Sequence, residues 1–187
     1  MGREPAVDVV TLNSTRSRSL YGLAGIALGT LLMAAGARVS IHVPFSPVPV
    51  TGQTLALPLV VALLGTRYAT LSLVAYLAEG GIGLPVFAGG ASGVPALLGP
   101  TGGFLIAFPA AAFVTGLFFD RGLWTTFVGR VLAIFLGSCV VFAGGWAWLA
   151  VLVGPGAAYI AGVAPFLVGD VVKTLIAAAI APAFRRI

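Results

Sequence analysis

Long apolar runs, broken by glycine and proline rather than by charge, dominate the chain. The first runs from Leu20 to Ala37 and is closed by Arg38. Apolar stretches follow at 53–65, 69–83, 101–119, 127–153 and 159–184. A membrane helix needs roughly 20 mostly apolar residues, so four of the six are long enough to cross a bilayer. The second, interrupted by Pro58, and the third are short, and are expected to extend into neighbouring loops or to be re-entrant. Strict alternation of apolar and polar positions, the mark of an outer-membrane barrel strand, is absent. The pattern predicts an all-α, polytopic membrane bundle of six helices, one domain over 20–187, preceded by a polar tail over 1–19 without the apolar core of a cleavable signal.

Two connecting stretches do not fit a helix. Residues 40–51 hold three of the eleven prolines that follow Pro5, and proline removes a backbone donor and clashes within a helix. Residues 80–103 hold nine glycines and three prolines and carry no charge. Their backbone polar groups cannot face hydrocarbon, so this stretch must pack against protein or line a wet cavity. That makes it a candidate pocket wall.

Composition agrees with a membrane protein. The 187 residues are 59% hydrophobic and only 8% charged, with ten Lys and Arg against five Asp and Glu. Soluble domains carry about 25% charged residues. No basic run exceeds two residues, which argues against nucleic-acid binding. With the N-terminus inside, Arg3, Arg16, Arg18, Arg67, Arg121, Arg130, Arg185 and Arg186 fall on the cytoplasmic side and only Arg38 outside. The positive-inside rule then requires an even number of spans and puts both termini in the cytoplasm. Both irregular loops fall on the outer face.

Charge inside the membrane is the sharpest local signal. Asp170 and Lys173 lie three apart, hence on one helix face, within the sixth span. Each charge at the bilayer centre costs about 2.5–3.5 kcal/mol, so both must face the bundle interior, paired with each other or with a ligand. A ligand site and a structural ion pair both satisfy that requirement. Glu79 and His42 lie near the outer interface, where solvation suffices to explain them. The single cysteine, Cys139, sits in an apolar helix and reads as a buried, inert thiol. Gly25 and Gly29 give the first span a surface of small residues, suited either to packing within the bundle or to docking a partner helix. Lys173 is the sole lysine and is preceded by two valines, so no phosphate-binding P-loop exists. Metalloprotease and serine-hydrolase signatures and metal-ligand clusters are missing as well. Binding and transport remain, with no catalytic residue, metal or cofactor called for, and with any ATP-driven step supplied by another polypeptide.

Four stretches together resemble the BioY family, the biotin-specific substrate-binding (S) components of prokaryotic energy-coupling-factor (ECF) transporters: ARVSIHVPFSPVPVTGQTL (37–55), YLAEGGIGLPVFAGGASG (76–93), LLGPTGGFLIAF (97–108) and VGDVVK (168–173). The similarity covers most of the chain from about residue 20. It implies a six-helix S-component in the cytoplasmic membrane, surrounded by lipid, that binds biotin from outside and works with a transmembrane coupling protein and a pair of ATPases. It implies that Asp170 and Lys173 recognise the ligand and that loops 41–52 and 84–103 shape or close the pocket. It also favours Gly25 and Gly29 as the coupling-protein docking surface. Phe104 stands where a tyrosine is expected after GPTGG. On the chemistry of biotin, Asp170 accepts from ureido N–H groups and Lys173 donates to a ligand oxygen. Backbone N–H groups over Gly99, Thr101, Gly102 and Gly103 are candidates to hold the carboxylate, and Phe87, Phe104 and Tyr76 to cover the apolar ring and chain. An S-component for another vitamin, such as riboflavin or thiamine, is the alternative within transport.

Overall fold

The computed structural model describes residues 6–184, with side chains described over 20–183. Helix α1 (Ala6–Arg38) begins before the expected span and takes in part of the stretch read as a tail; residues 1–5 lie outside the described residues. A two-residue antiparallel ladder of β1 (Ser40–Ile41) and β2 (Val50–Thr51) follows, pairing Ser40 with Thr51. Then come α2 (Gln53–Gly81), α3 (Gly93–Leu98), α4 (Gly102–Asp120), α5 (Phe127–Val153), α6 (Pro155–Gly162) and α7 (Leu167–Ile180).

Five helical stretches are long and apolar enough to cross a membrane, but α2 is two helices rather than one rod. Were it one straight rod, Gln53 and Tyr76 would stand about 34 Å apart at 1.5 Å per residue. Instead Gln53 Nε2 donates to Tyr76 Oη at 2.9 Å. The chain reverses at Gly65, whose φ of 71° and ψ of 173° belong to a region open essentially to glycine alone. Two antiparallel arms, 53–64 and 66–81, result, and the bundle has six helical segments, of which 53–64 is too short to cross a bilayer by itself. A Gly65→Val variant is therefore expected to lose about 1–3 kcal/mol of stability; thermal denaturation in detergent measures this, and an unchanged midpoint would contradict the hairpin.

Side-chain bonds define the two ends of the bundle. At the end remote from the hairpin turn, Arg38 Nη2 donates to Pro85 O at 2.8 Å, joining loop 82–92 to the end of α1. There too, Ser46 Oγ donates to Ala161 O at 2.7 Å, pinning loop 39–52 against α6. At the other end Thr66 Oγ1 donates to Asp120 Oδ2 at 2.5 Å, tying the hairpin turn to the last residue of α4. Arg130 Nε donates there to Ala178 O at 2.7 Å. The arm 53–64 is about 18 Å long against about 28 Å for the 19 residues of α4. It therefore starts well below the first end, and the folded loop 39–52 occupies the space above it.

Small residues bring the helices close. Gly103, Ala107, Ala111 and Thr115 recur every fourth position on α4, and a Cβ at Gly137 of α5 would lie 2.1 Å from Thr115 Oγ1. Gly29 of α1 is buried, and a Cβ there would lie 2.3 Å from Ser72 Oγ; Gly25 packs on Leu64. Both therefore serve contact between α1 and α2 within the chain, not the partner-docking surface expected of them. The outward face of α1 carries Ala24, Ala27, Leu31 and Ala35 instead. Cys139, expected to be buried, is exposed on α5.

Candidate functional site

Between the short arm of α2 and the loops lies a cavity of about 230 Å³. Its polar side comes from α7. A short turn at Ala164–Phe166, with Pro165 near its start, leads into α7 at Leu167. Asp170, in its first turn, and Lys173, three residues on, both point into the cavity. Asp170 is only 6% exposed and faces the hydroxyls of Ser138 and Thr54. Lys173 Nζ donates to Thr51 O at 2.8 Å and to Thr54 Oγ1 at 3.0 Å. The ammonium thus clamps the end of loop 39–52 and the first turn of α2, and keeps a third donor in reserve. The two charges line one cavity with different neighbours, rather than locking one helix by a direct mutual pair.

The rest of the wall is aromatic and apolar. Phe87, 1% exposed, and Phe104, 9% exposed, line it from loop 82–92 and from the first turn of α4. Phe87 fits where it does because residue 80 is glycine: a Cβ at Gly80 would lie 2.0 Å from Phe87 Cζ. Val48, Phe108, Val141, Phe142 and Phe166 complete the apolar lining, and His42 and Thr101 stand with it.

Five of the expected site residues, Asp170, Lys173, Phe87, Phe104 and Thr101, therefore share this cavity. The other four stand behind it. Tyr76, fully buried, supports Phe87 edge-on at 5.4 Å between ring centroids and 80° between planes, and its hydroxyl donates to Val86 O at 2.9 Å. Gly99 O accepts from Trp148 Nε1 at 3.0 Å and from Gly102 N–H at 3.0 Å, so the Gly102 donor is spent on the turn rather than left for an anion. A Cβ at Gly102 would lie 1.8 Å from Leu97 O, and one at Gly103 2.2 Å from Trp148 Cβ and 2.5 Å from Gly144 O. These glycines let α4 start against α3 and α5. A Gly103→Leu variant is expected to be destabilised by at least about 1–3 kcal/mol through overpacking against backbone, read as a lower midpoint of thermal unfolding.

Sequence reasoning missed Gln53 and Thr54, which line the cavity at the start of α2 beside Thr51, the end of the loop expected to shape the pocket. Their signal was present: three polar residues within four positions opening an otherwise apolar span. A helix start alone accounts for such residues equally well.

Fold and site define a polytopic membrane protein with a charged, aromatic-walled ligand cavity at one end. The model of the BioY family matches residues 10–187, and the chain belongs to that family. It is 42% identical over 156 residues to the probable biotin transporter BioY of Pyrococcus horikoshii, covering 83% of this chain and 91% of that protein. It is 34% identical over 174 residues to the biotin transporter BioY of Rhizobium etli, covering 88% and 90%. Among solved structures it matches the crystal structure of the S-component for biotin from an ECF-type ABC transporter, with a TM-score of 0.80, 29% identity and coverage of 89% of this chain and 92% of that one.

Proposed function

We propose that this protein captures biotin as the substrate-binding subunit of an ECF-type vitamin transporter. The observation that carries the reading is the pairing, in one cavity of about 230 Å³, of a buried acceptor, Asp170, and a donor, Lys173, with the aromatic walls of Phe87 and Phe104. Biotin presents N–H donors and oxygen acceptors around an apolar bicyclic core. Asp170 accepts from ureido N–H groups, Lys173 uses its reserve donor on a ligand oxygen, and the phenylalanines cover the ring system. Charge-assisted bonds of this kind, made where water is excluded, are the stronger class.

The cavity end faces outward in this reading. Arg67, Arg121 and Arg130 lie toward the other end, as the positive-inside rule requires of the cytoplasmic side. Orientation is testable through the lone Cys139: in a Cys139→Ser background, Ser92→Cys in the loop before α3 is expected to react with an impermeant thiol reagent in intact cells, and Arg121→Cys only after lysis. The reverse pattern would contradict the topology.

The chain does no chemistry on its ligand, and its partners in transport are a transmembrane coupling protein and an ATPase pair. The exposed Ala24, Ala27, Leu31 and Ala35 face of α1, the least enclosed of the long helices, supports docking of a coupling helix there. Reconstituted with those partners, the protein is expected to take up labelled biotin only when ATP is supplied. ATP hydrolysis by the purified chain alone would contradict the division of labour.

A further inference from the structure

A buried relay of hydrogen bonds begins at a backbone carbonyl and ends in the cavity wall. Val86 O can only accept, so the Tyr76 hydroxyl 2.9 Å away must spend its one hydrogen on it. Tyr76 Oη is then left as an acceptor toward Gln53, and the Gln53 contact at 2.9 Å must be made by the Nε2 amino group. That fixes the amide the other way round for Thr51, whose Oγ1 donates to Gln53 Oε1 at 3.1 Å. No other assignment of the amide satisfies all three bonds. The polarity of Gln53 is therefore dictated from loop 82–92, through Tyr76, and held at its far side by loop 39–52.

Gln53 is 3% exposed and lines the cavity. Its amino group has two hydrogens, of which Tyr76 takes one. The second has no protein partner among the described residues. A buried donor left unmade is costly, and a site that offers one is complete only when a ligand atom accepts from it. Thr51 also joins this amide to Lys173, since Thr51 O accepts from Nζ at 2.8 Å. Lys173 and Gln53 thus bring two donors to the cavity that also holds the Asp170 carboxylate.

We infer that Gln53 is a specificity-determining residue: its second amide N–H, oriented by Tyr76 and Thr51, reads an acceptor oxygen of the bound ligand in the cavity it shares with Lys173. The inference rests on the biotin reading above and adds a residue to it. Biotin has two kinds of acceptor oxygen, on the ureido group and on the carboxylate. Apolar analogues of the same shape leave the Gln53 donor and the Lys173 donor unanswered together, so the site rejects them.

Equilibrium binding of biotin, 2-iminobiotin (ureido oxygen replaced by a nitrogen that is protonated at neutral pH and cannot accept) and a biotin analogue with the carboxylate replaced by a methyl group to the full-length wild-type protein and to Gln53→Met tests it. Methionine keeps the length and burial of the side chain and removes the donor. The expected result is an affinity for biotin about tenfold weaker in Gln53→Met. The wild-type preference for biotin over one of the two analogues should shrink by the same factor, while the preference over the other is unchanged. Which preference shrinks identifies the oxygen that Gln53 reads. Unchanged biotin affinity, or an equal loss for all three compounds with both preferences intact, would overturn the inference. Tyr76→Phe keeps the ring against Phe87 and removes the hydroxyl that orients the amide; it should weaken the same preference, and it decides the matter if Gln53→Met does not fold. Wild-type protein that fails to bind biotin would sink the underlying assignment instead, a different result from wild-type binding with indifferent variants.

Discussion

Biotin affinity in the Asp170→Asn variant is expected to fall by about tenfold to a hundredfold, with the fold intact. Asparagine has the size and shape of aspartate, and Ser138 and Thr54 still have an oxygen to face. What is lost is the negative charge. A hydrogen bond to a charged partner contributes about 1.5–3 kcal/mol against roughly 1 kcal/mol for a neutral one, and each 1.4 kcal/mol is a factor of ten in affinity. The amide also turns a donor toward ligand N–H groups. Stability is expected to be equal or slightly higher, because a buried carboxylate without a direct cationic partner costs desolvation when the site is empty. Equilibrium dialysis with labelled biotin, run beside thermal denaturation, separates the readings: normal binding removes Asp170 from the site, and unfolding makes it a structural group.

Lys173→Met is expected to be the more damaging change, with binding weakened about a hundredfold or more. The ammonium has two jobs. It holds Thr51 O and Thr54 Oγ1, and so fixes where loop 39–52 joins α2, and its third donor faces the cavity. Methionine keeps the stem and drops both. The loop should then become more accessible: in a Cys139→Ser background, a cysteine at Ser46, whose hydroxyl now donates to Ala161 O, reacts faster with thiol reagents. A lower melting temperature with unchanged biotin affinity would instead assign Lys173 to scaffold alone.

The long apolar runs made the six helical segments legible, and the density of prolines and glycines marked the two irregular loops. Asp170 and Lys173 stood out because unpaired charge in a membrane helix is expensive. The reversal at Gly65 also followed from breaking the apolar run in two, although only the contact of Gln53 with Tyr76 shows that the arms are antiparallel and adjacent. Residues behind the wall were harder to place. A glycine that cradles a ring, as Gly80 does for Phe87, and a glycine that lets two helices touch, as Gly103 does, look the same in sequence as one that offers its N–H to a ligand. Gly25 and Gly29 failed for the same reason: small-residue spacing marks close approach but not whether the neighbour is in the same chain. Tyr76 has the chemistry of a wall residue, yet its ring stands edge-on behind Phe87 and its hydroxyl is engaged by Val86 O and Gln53. Gln53 and Thr54 were hidden by position, since polar residues at a helix start are ordinary.

The central claim is that this cavity is a biotin site built on Asp170 and Lys173. Equilibrium binding of labelled biotin to the purified full-length protein in detergent tests it most directly. Saturable binding at one biotin per chain, far tighter than millimolar and weakened by Asp170→Asn, is the expected result; binding no tighter than about millimolar, the affinity of weak, unspecific contacts, would contradict it.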